Sequence, residues 1–178
     1  SGGTITGLRY MLGLSRGESV TDIFKELYTF LTDVELATVA MNNLASYDKG
    51  QCASLIRTMA DIYNKELFKG AVLGDLMDQL DDIHICHFAA YAKDLSHRLG
   101  CRSQVRDETG ARQEQATSYG LIGNNKIRIP REVARHIRLS EVLACSSCFP
   151  SGFEPLVFPK DFVLGDSEEV NKFIAKTE

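Results

Sequence analysis

The apolar residues of this chain change their period near residue 82, and that change limits the folds open to it. Before it they recur at three and four: Ile5, Leu8, Met11 and Leu12; then Val20, Ile23, Phe24, Leu27, Phe30 and Leu31; then Cys52, Leu55, Ile56, Met59, Tyr63 and Leu67; then Leu73, Leu76, Met77 and Leu80. Such spacing gathers apolar side chains on one helical face. Ser19 followed by Asp22 has the form of a capping box, so a helix is expected over 19–32. Residues 34–45, rich in Ala, Leu, Met and Val, predict a more buried helix ended by Tyr47-Asp48-Lys49-Gly50. Gly70 is expected to close the helix that starts near Cys52. Helix lengths and spacers differ throughout, so no repeat architecture is implied.

Beyond residue 82 the pattern favours strands. His84-Ile85-Cys86-His87-Phe88-Ala89-Ala90-Tyr91-Ala92 carries apolar side chains on both parities, which predicts a central strand covered on both faces. Residues 101–107 and 118–123 are expected to pair as a hairpin across the polar stretch Glu108-Thr109-Gly110-Ala111-Arg112-Gln113. Pro130 suits the first turn of a helix carrying Val133, Ala134 and Ile137, and Ser140 is placed to cap a short helix over 141–145. The expected class is α/β: one domain over 1–178, with a helical region at 18–80 and a strand, hairpin and helix region at 82–165.

Composition excludes several functions. With 44% hydrophobic and 25% charged residues, 178 residues suffice for one substantial core. A net charge of -4 and a pI near 5.6 argue against a nucleic-acid surface. No apolar run is long enough to predict a transmembrane helix, and the start has no secretory leader pattern. Five cysteines, an odd number, fit reduced thiols in a cytoplasmic setting better than a disulfide framework.

Two short segments carry chemistry. Ser1-Gly2-Gly3-Thr4 opens a helical pattern with a hydroxyl followed by two residues without side chains, and a helix N-terminus favours the negative charge that develops as a serine oxygen attacks a carbonyl. The same serine suits a plain N-cap or a residue left by cloning. The second segment is Ala144-Cys145-Ser146-Ser147-Cys148-Phe149-Pro150, followed by Phe153-Glu154-Pro155. Together they resemble the patatin-like phospholipase family: the first is similar to the back half of its G-x-S-x-G nucleophile elbow, the second to its Ala-Ser-Ser block and aromatic, Pro-rich loop. Ala90-Tyr91-Ala92-Lys93-Asp94-Leu95 and Gly100 loosely match a further family segment.

The resemblance implies a partial three-layer α/β/α domain with a helix-rich insertion after the elbow helix, starting at the elbow serine and ending before the catalytic aspartate. It implies a serine-dependent lipid acyl hydrolase working through a Ser-Asp dyad on a lipid or other ester, without cofactor. Ser1 would be the nucleophile, with Gly2 and Gly3 supporting the elbow and oxyanion site. The family's glycine-rich oxyanion loop has no counterpart here. Its Asp-Gly-Gly aspartate is not matched either, because Phe162 follows Asp161 and Ser167 follows Asp166.

Other constellations read as structural. Cys145 and Cys148 could bind zinc with His84, Cys86 and His87 as added ligands, but they lack a second ligand pair at defined spacing, so no metal is expected. His97 and His136 sit among arginines and read as surface groups. Arg128, Arg131, Arg135 and Arg138 form a cluster able to meet a phosphate, since Arg131, Arg135 and Arg138 would share one helical face, read first as a solvated one. Two other functions remain open: an N-terminal nucleophile hydrolase in which the α-amino group of Ser1 is the base, which should open into a strand, and a non-catalytic helical interaction module built from 18–80.

Overall fold

The computed structural model describes residues 2–35, 38, 42, 54–79, 84–91, 95–102, 105–106, 112–113, 120–122, 127–147, 153, 159 and 161–177. Helix α1 runs over Gly2–Ser15 and α2 over Val20–Asp33. Gly17, at φ 72, makes the turn between them. Ser19 caps α2: the Asp22 N–H donates to Ser19 Oγ at 3.1 Å, and that hydroxyl in turn donates to Asp22 Oδ2 at 2.6 Å. The apolar residues of α2 divide between two faces. Ile23, Leu27 and Phe30 are buried, whereas Val20, Phe24 and Leu31, expected on the same face, are exposed together with Tyr28. Six apolar positions span more of the helix circumference than the core covers.

Helix α3, Leu55–Tyr63, starts at Ser54, whose Oγ accepts the Arg57 N–H at 3.1 Å. It widens into a π-helical turn, Asn64–Phe68. Lys69 (φ 49) and Gly70 (φ 84) end it, so the left-handed step expected of Gly70 alone is shared by two residues. The Gly70 N–H is taken by Asn64 Oδ1 at 3.0 Å. Helix α4 follows at Leu73–Gln79. Of the helix expected over 34–45, only residues 34, 35, 38 and 42 are described, so that expectation lies outside the described residues.

The strands are β1, His84–Tyr91; β2, Leu95–Arg102; β3, Val105–Arg106; β4, Arg112–Gln113; β5, Gly120–Ile122; and β6, Ile127–Ile129. Each pairs antiparallel with its neighbour in sequence: β1 with β2 from His84↔Arg102 to Tyr91↔Leu95, β3 with β4, and β5 with β6. The described chain is mostly helical, and the three-layer α/β/α expectation is not supported. Connections as short as 92–94 permit only antiparallel return, whereas a parallel layered sheet needs crossovers of a dozen residues or more. Apolar side chains on both parities of 84–91 suggested a central strand, yet its described partner is a hairpin arm. The expected pairing of 101–107 with 118–123 is likewise replaced by nearest-neighbour ladders.

Three helices complete the chain: α5, Arg131–Ala134; α6, Leu139–Ser147; and α7, Glu168–Thr177. Pro130 stands just before α5, its carbonyl accepting the Val133 and Ala134 N–H groups at 3.1 and 2.8 Å. Ser140 is not a cap. It lies inside α6, and the Arg138 carbonyl accepts the Glu141 and Val142 N–H groups instead. Helix α7 was not anticipated, although Ser167 Oγ accepting the Val170 N–H marks its start and Val170 and Phe173 turn inward.

Helix α6 is the centre of the core. Leu139, Val142, Leu143 and Ala144 are buried, and Leu8, Leu12, Ile56, Met59, Leu67 and Phe68 belong to the same apolar cluster. A large aliphatic side chain buried this way contributes about 1.5–3 kcal/mol. Backbone bonds join residues far apart in sequence: Leu73 N–H to the Ile137 carbonyl at 2.8 Å, Gly74 N–H to Arg135 at 2.9 Å, and Leu139 N–H to Ala71 at 3.0 Å.

Candidate functional site

Ser1 lies outside the described residues; Gly2, bonded to it, is the first helical residue of α1. Leu8 and Leu12 are buried in the helix that follows, as the spacing predicts. The first turn therefore offers backbone N–H groups without intrahelical acceptors, in a stretch where Gly2 and Gly3 have no side chains to obstruct approach.

The two segments distinguished by sequence meet here. Thr4 Oγ1 and Ser146 Oγ are 2.7 Å apart, although 142 positions separate them in the chain. Ser146 belongs to the last turn of α6. Its neighbour Ser147 hydrogen-bonds the Tyr63 side chain of α3, and burial raises the Tyr63 phenol above its ordinary pKa while Ser147 opposes the rise. The Tyr63 ring in turn lies 6.0 Å from that of Phe30, tilted by 52°. Hydroxyls at the end of α6 thus tie it to α1 on one side and to the aromatic core on the other.

One turn earlier in α6 is Glu141, 1% exposed. Its Oε1 accepts from Arg57 Nη1 and Nη2 at 3.0 and 2.9 Å and from the Val163 N–H at 2.9 Å. Among the described residues its Oε2 has no hydrogen-bond partner. Burial raises the Glu141 pKa and outweighs the opposing pull of the Val163 N–H, Arg57 and Arg138. A second ion-pair group lies between α1 and α2, where Arg9, 5% exposed, pairs with Glu18 and Glu26. Burial acts to raise Glu26, but Arg9 and Lys69 hold its carboxyl below the ordinary value. Sequence reasoning missed both groups. Glu141 within Leu139-Ser140-Glu141-Val142-Leu143-Ala144 was a legible signal, because a carboxylate inside an apolar helical run needs a partner; nothing in the sequence singles out Arg9.

The other sequence candidates do not gather here. Asp166 Oδ1 accepts from Asn171 Nδ2 at 2.8 Å on an exposed surface. The shared helical face proposed for Arg131, Arg135 and Arg138 does not form, because α5 stops at Ala134 and the chain turns before α6. Cys145 is half-buried in α6, while Cys148 lies outside the described residues. Among the described residues no three His, Cys, Asp or Glu side chains gather as a metal site, and no helix is long and apolar enough to cross a membrane. No protein-family model, curated protein or solved structure matches the chain.

Proposed function

We propose that Ser1 is the nucleophile of a serine-dependent acyl hydrolase of patatin-like type, acting on a lipid or other ester. The observation carrying this reading is the hydrogen bond between Thr4 and Ser146, which joins the elbow-like and Ala-Ser-Ser-like segments across 142 positions. It rests on that local meeting and on the helix beginning at Gly2, not on a sheet architecture, since function belongs to sites rather than folds. In the reaction Ser1 Oγ forms a bond to the ester carbonyl carbon while its proton passes to a carboxylate. Collapse of the tetrahedral intermediate expels the alcohol, and water releases the acid. N–H groups of the first helical turn lie at the end of the dipole that favours an oxyanion. Helix at residues 2–15, where the N-terminal nucleophile reading needs a strand, weighs against that alternative.

The test is covalent labelling. In protein expressed from the complete gene, a fluorophosphonate is expected to modify Ser1, and Ser1→Ala should abolish both labelling and short-chain ester hydrolysis. Residues 1–178 alone should label near background, because the glycine loop and the aspartate that the resemblance implies have no counterpart among them. Labelling and hydrolysis that survive Ser1→Ala would overturn the assignment.

A further inference from the structure

Half of the apolar arc of α2 is left outside the core. At about 3.6 residues per turn, Val20, Phe24, Tyr28 and Leu31 fall on one stripe beside the buried Ile23, Leu27 and Phe30. The four are 48, 48, 71 and 59% exposed. Phe24, at the middle of the stripe, rests against the Tyr10 ring of α1, 6.0 Å away between centroids, so it is held in place before anything covers it. An open groove runs along this side of the helix, lined by Val20, Thr21, Phe24, Lys25, Tyr28 and Thr29. Of the charged residues of α2 only Lys25 borders the stripe, because Asp22 and Asp33 fall on the opposite side of the helix. Thr32 Oγ1, on the same border, already donates to the Tyr28 carbonyl at 2.9 Å, so covering it orphans no hydroxyl.

The stripe reads nearly the same in both directions: aliphatic Val20, aromatic Phe24, aromatic Tyr28, aliphatic Leu31, with Thr21 and Thr32 beside the two ends. A surface that meets its own copy across a two-fold axis needs this property, because residue i then faces j while j faces i. Two α2 helices laid antiparallel, with the axis midway between Phe24 and Tyr28, place Phe24 of each copy on Tyr28 of the other and bring Val20 level with Leu31 and Thr32. At these exposures the four side chains offer on the order of 450 Å² per copy, so a symmetric pair covers about 900 Å² before its borders are counted, and Thr21, Lys25 and Thr32 carry it past the roughly 1,000 Å² that a specific interface needs. We propose that α2 is a self-association face, on which two copies of this chain pair antiparallel about a two-fold axis through the stripe from Val20 to Leu31. The proposal is independent of the role assigned to Ser1. A lipid surface fits the stripe less well: a single lysine borders it and the chain carries a net charge of -4, whereas helices that lie on membranes are rich in lysine and arginine along the polar face.

Protein expressed from the complete gene carries the test, read by sedimentation velocity over a range of concentrations with circular dichroism as the check on folding. The protein is expected to pass from monomer to dimer through the micromolar range, as befits an interface at the small end of the size scale. Tyr28→Glu, at an exposed position, should leave the helical signal unchanged and weaken the dimer about tenfold or more, because the contact would desolvate a carboxylate without a partner. Phe24→Lys should weaken it likewise. Mixing these two variants should restore a dimer, since the introduced carboxylate and ammonium then face each other while the second contact keeps Phe24 on Tyr28. Should Phe24→Lys fail to fold for want of the Tyr10 contact, Leu31→Lys mixed with Val20→Glu carries the same measurement at the ends of the stripe. Ser1→Ala should dimerise as the unaltered protein does, whatever becomes of hydrolysis. A monomer at every concentration, a dimer that Tyr28→Glu leaves intact, or mixed variants that stay monomeric overturn the proposal. A monomer that floats with phosphatidylcholine vesicles and no longer does so as Tyr28→Glu overturns it in favour of a lipid surface.

Discussion

Glu141 shows how one buried charge couples the stability of this molecule to pH. Its Oε1 takes three hydrogen bonds and its Oε2 none, so burial outweighs the Arg57 guanidinium and the pKa stands above the ordinary 4.5. A carboxyl whose pKa is higher folded than unfolded stabilises the fold below the unfolded value, and that contribution is lost as pH rises through the folded one. The contribution of Glu141 to stability should therefore fall as pH rises above about 4.5. Glu141→Gln should flatten that slope, as read from urea midpoints across the range. Arg57→Ala should cost about 3 kcal/mol while Glu141 is ionised and visibly less as the pH is lowered, because protonation relieves the orphaned carboxylate. An Arg57→Ala penalty that grows on acidification would contradict the assignment. The glutamate could be noticed in the sequence as a charge inside an apolar run. Its partner could not, since Arg57 lies 84 positions away on another helix.

Among the elements, α1 is the least expected helix by propensity and the most informative. Its glycines occupy different surroundings. A Cβ on Gly13 would fall 2.3 Å from Ile23 Cδ1 and 2.8 Å from Arg9 Nη1, so α2 approaches α1 where the side chain is missing; a Cβ on Gly7 would meet nothing within 4 Å. Gly7→Ala should thus stabilise by about 0.5–1 kcal/mol through reduced backbone freedom in the unfolded chain. Gly13→Ala should destabilise by about 1–3 kcal/mol as Ile23 and Arg9 are displaced. Thermal or urea unfolding checks both, and equal effects at the two sites would refute the close approach. Helices α1, α2, α3 and α4 were legible because local signals create them: apolar period, Ser19 with Asp22, and the turn near Gly70. The exposed half of α2 was not, since a periodic pattern records how many residues are apolar and not which face finds a neighbour. The strand pairing was missed for a related reason: a run rich in strand formers, such as 84–91, identifies an extended segment, but pairing depends on connection length and on partners elsewhere in the chain.

At the scale of the molecule, the candidate site was legible as two segments and illegible as a meeting between them, because nothing local in Ser1-Gly2-Gly3-Thr4 specifies a hydroxyl on α6. The same holds for the core, which draws on residues from Leu8 to Leu76 and again from Ile129 to Phe173. The bonds from Leu73 to Ile137, from Gly74 to Arg135 and from Leu139 to Ala71 fasten these two groups directly. A chain so joined has the makings of a two-piece complementing system. Cleavage at a protease site placed within 107–111, between β3 and β4, should leave the pieces co-eluting in native buffer and parting only in denaturant. Separately produced pieces should regain the helical signal on mixing, with a midpoint that rises with concentration, as mass action requires of any association. Pieces that separate in native buffer would mean that the peptide link, rather than the buried surface, holds the molecule together.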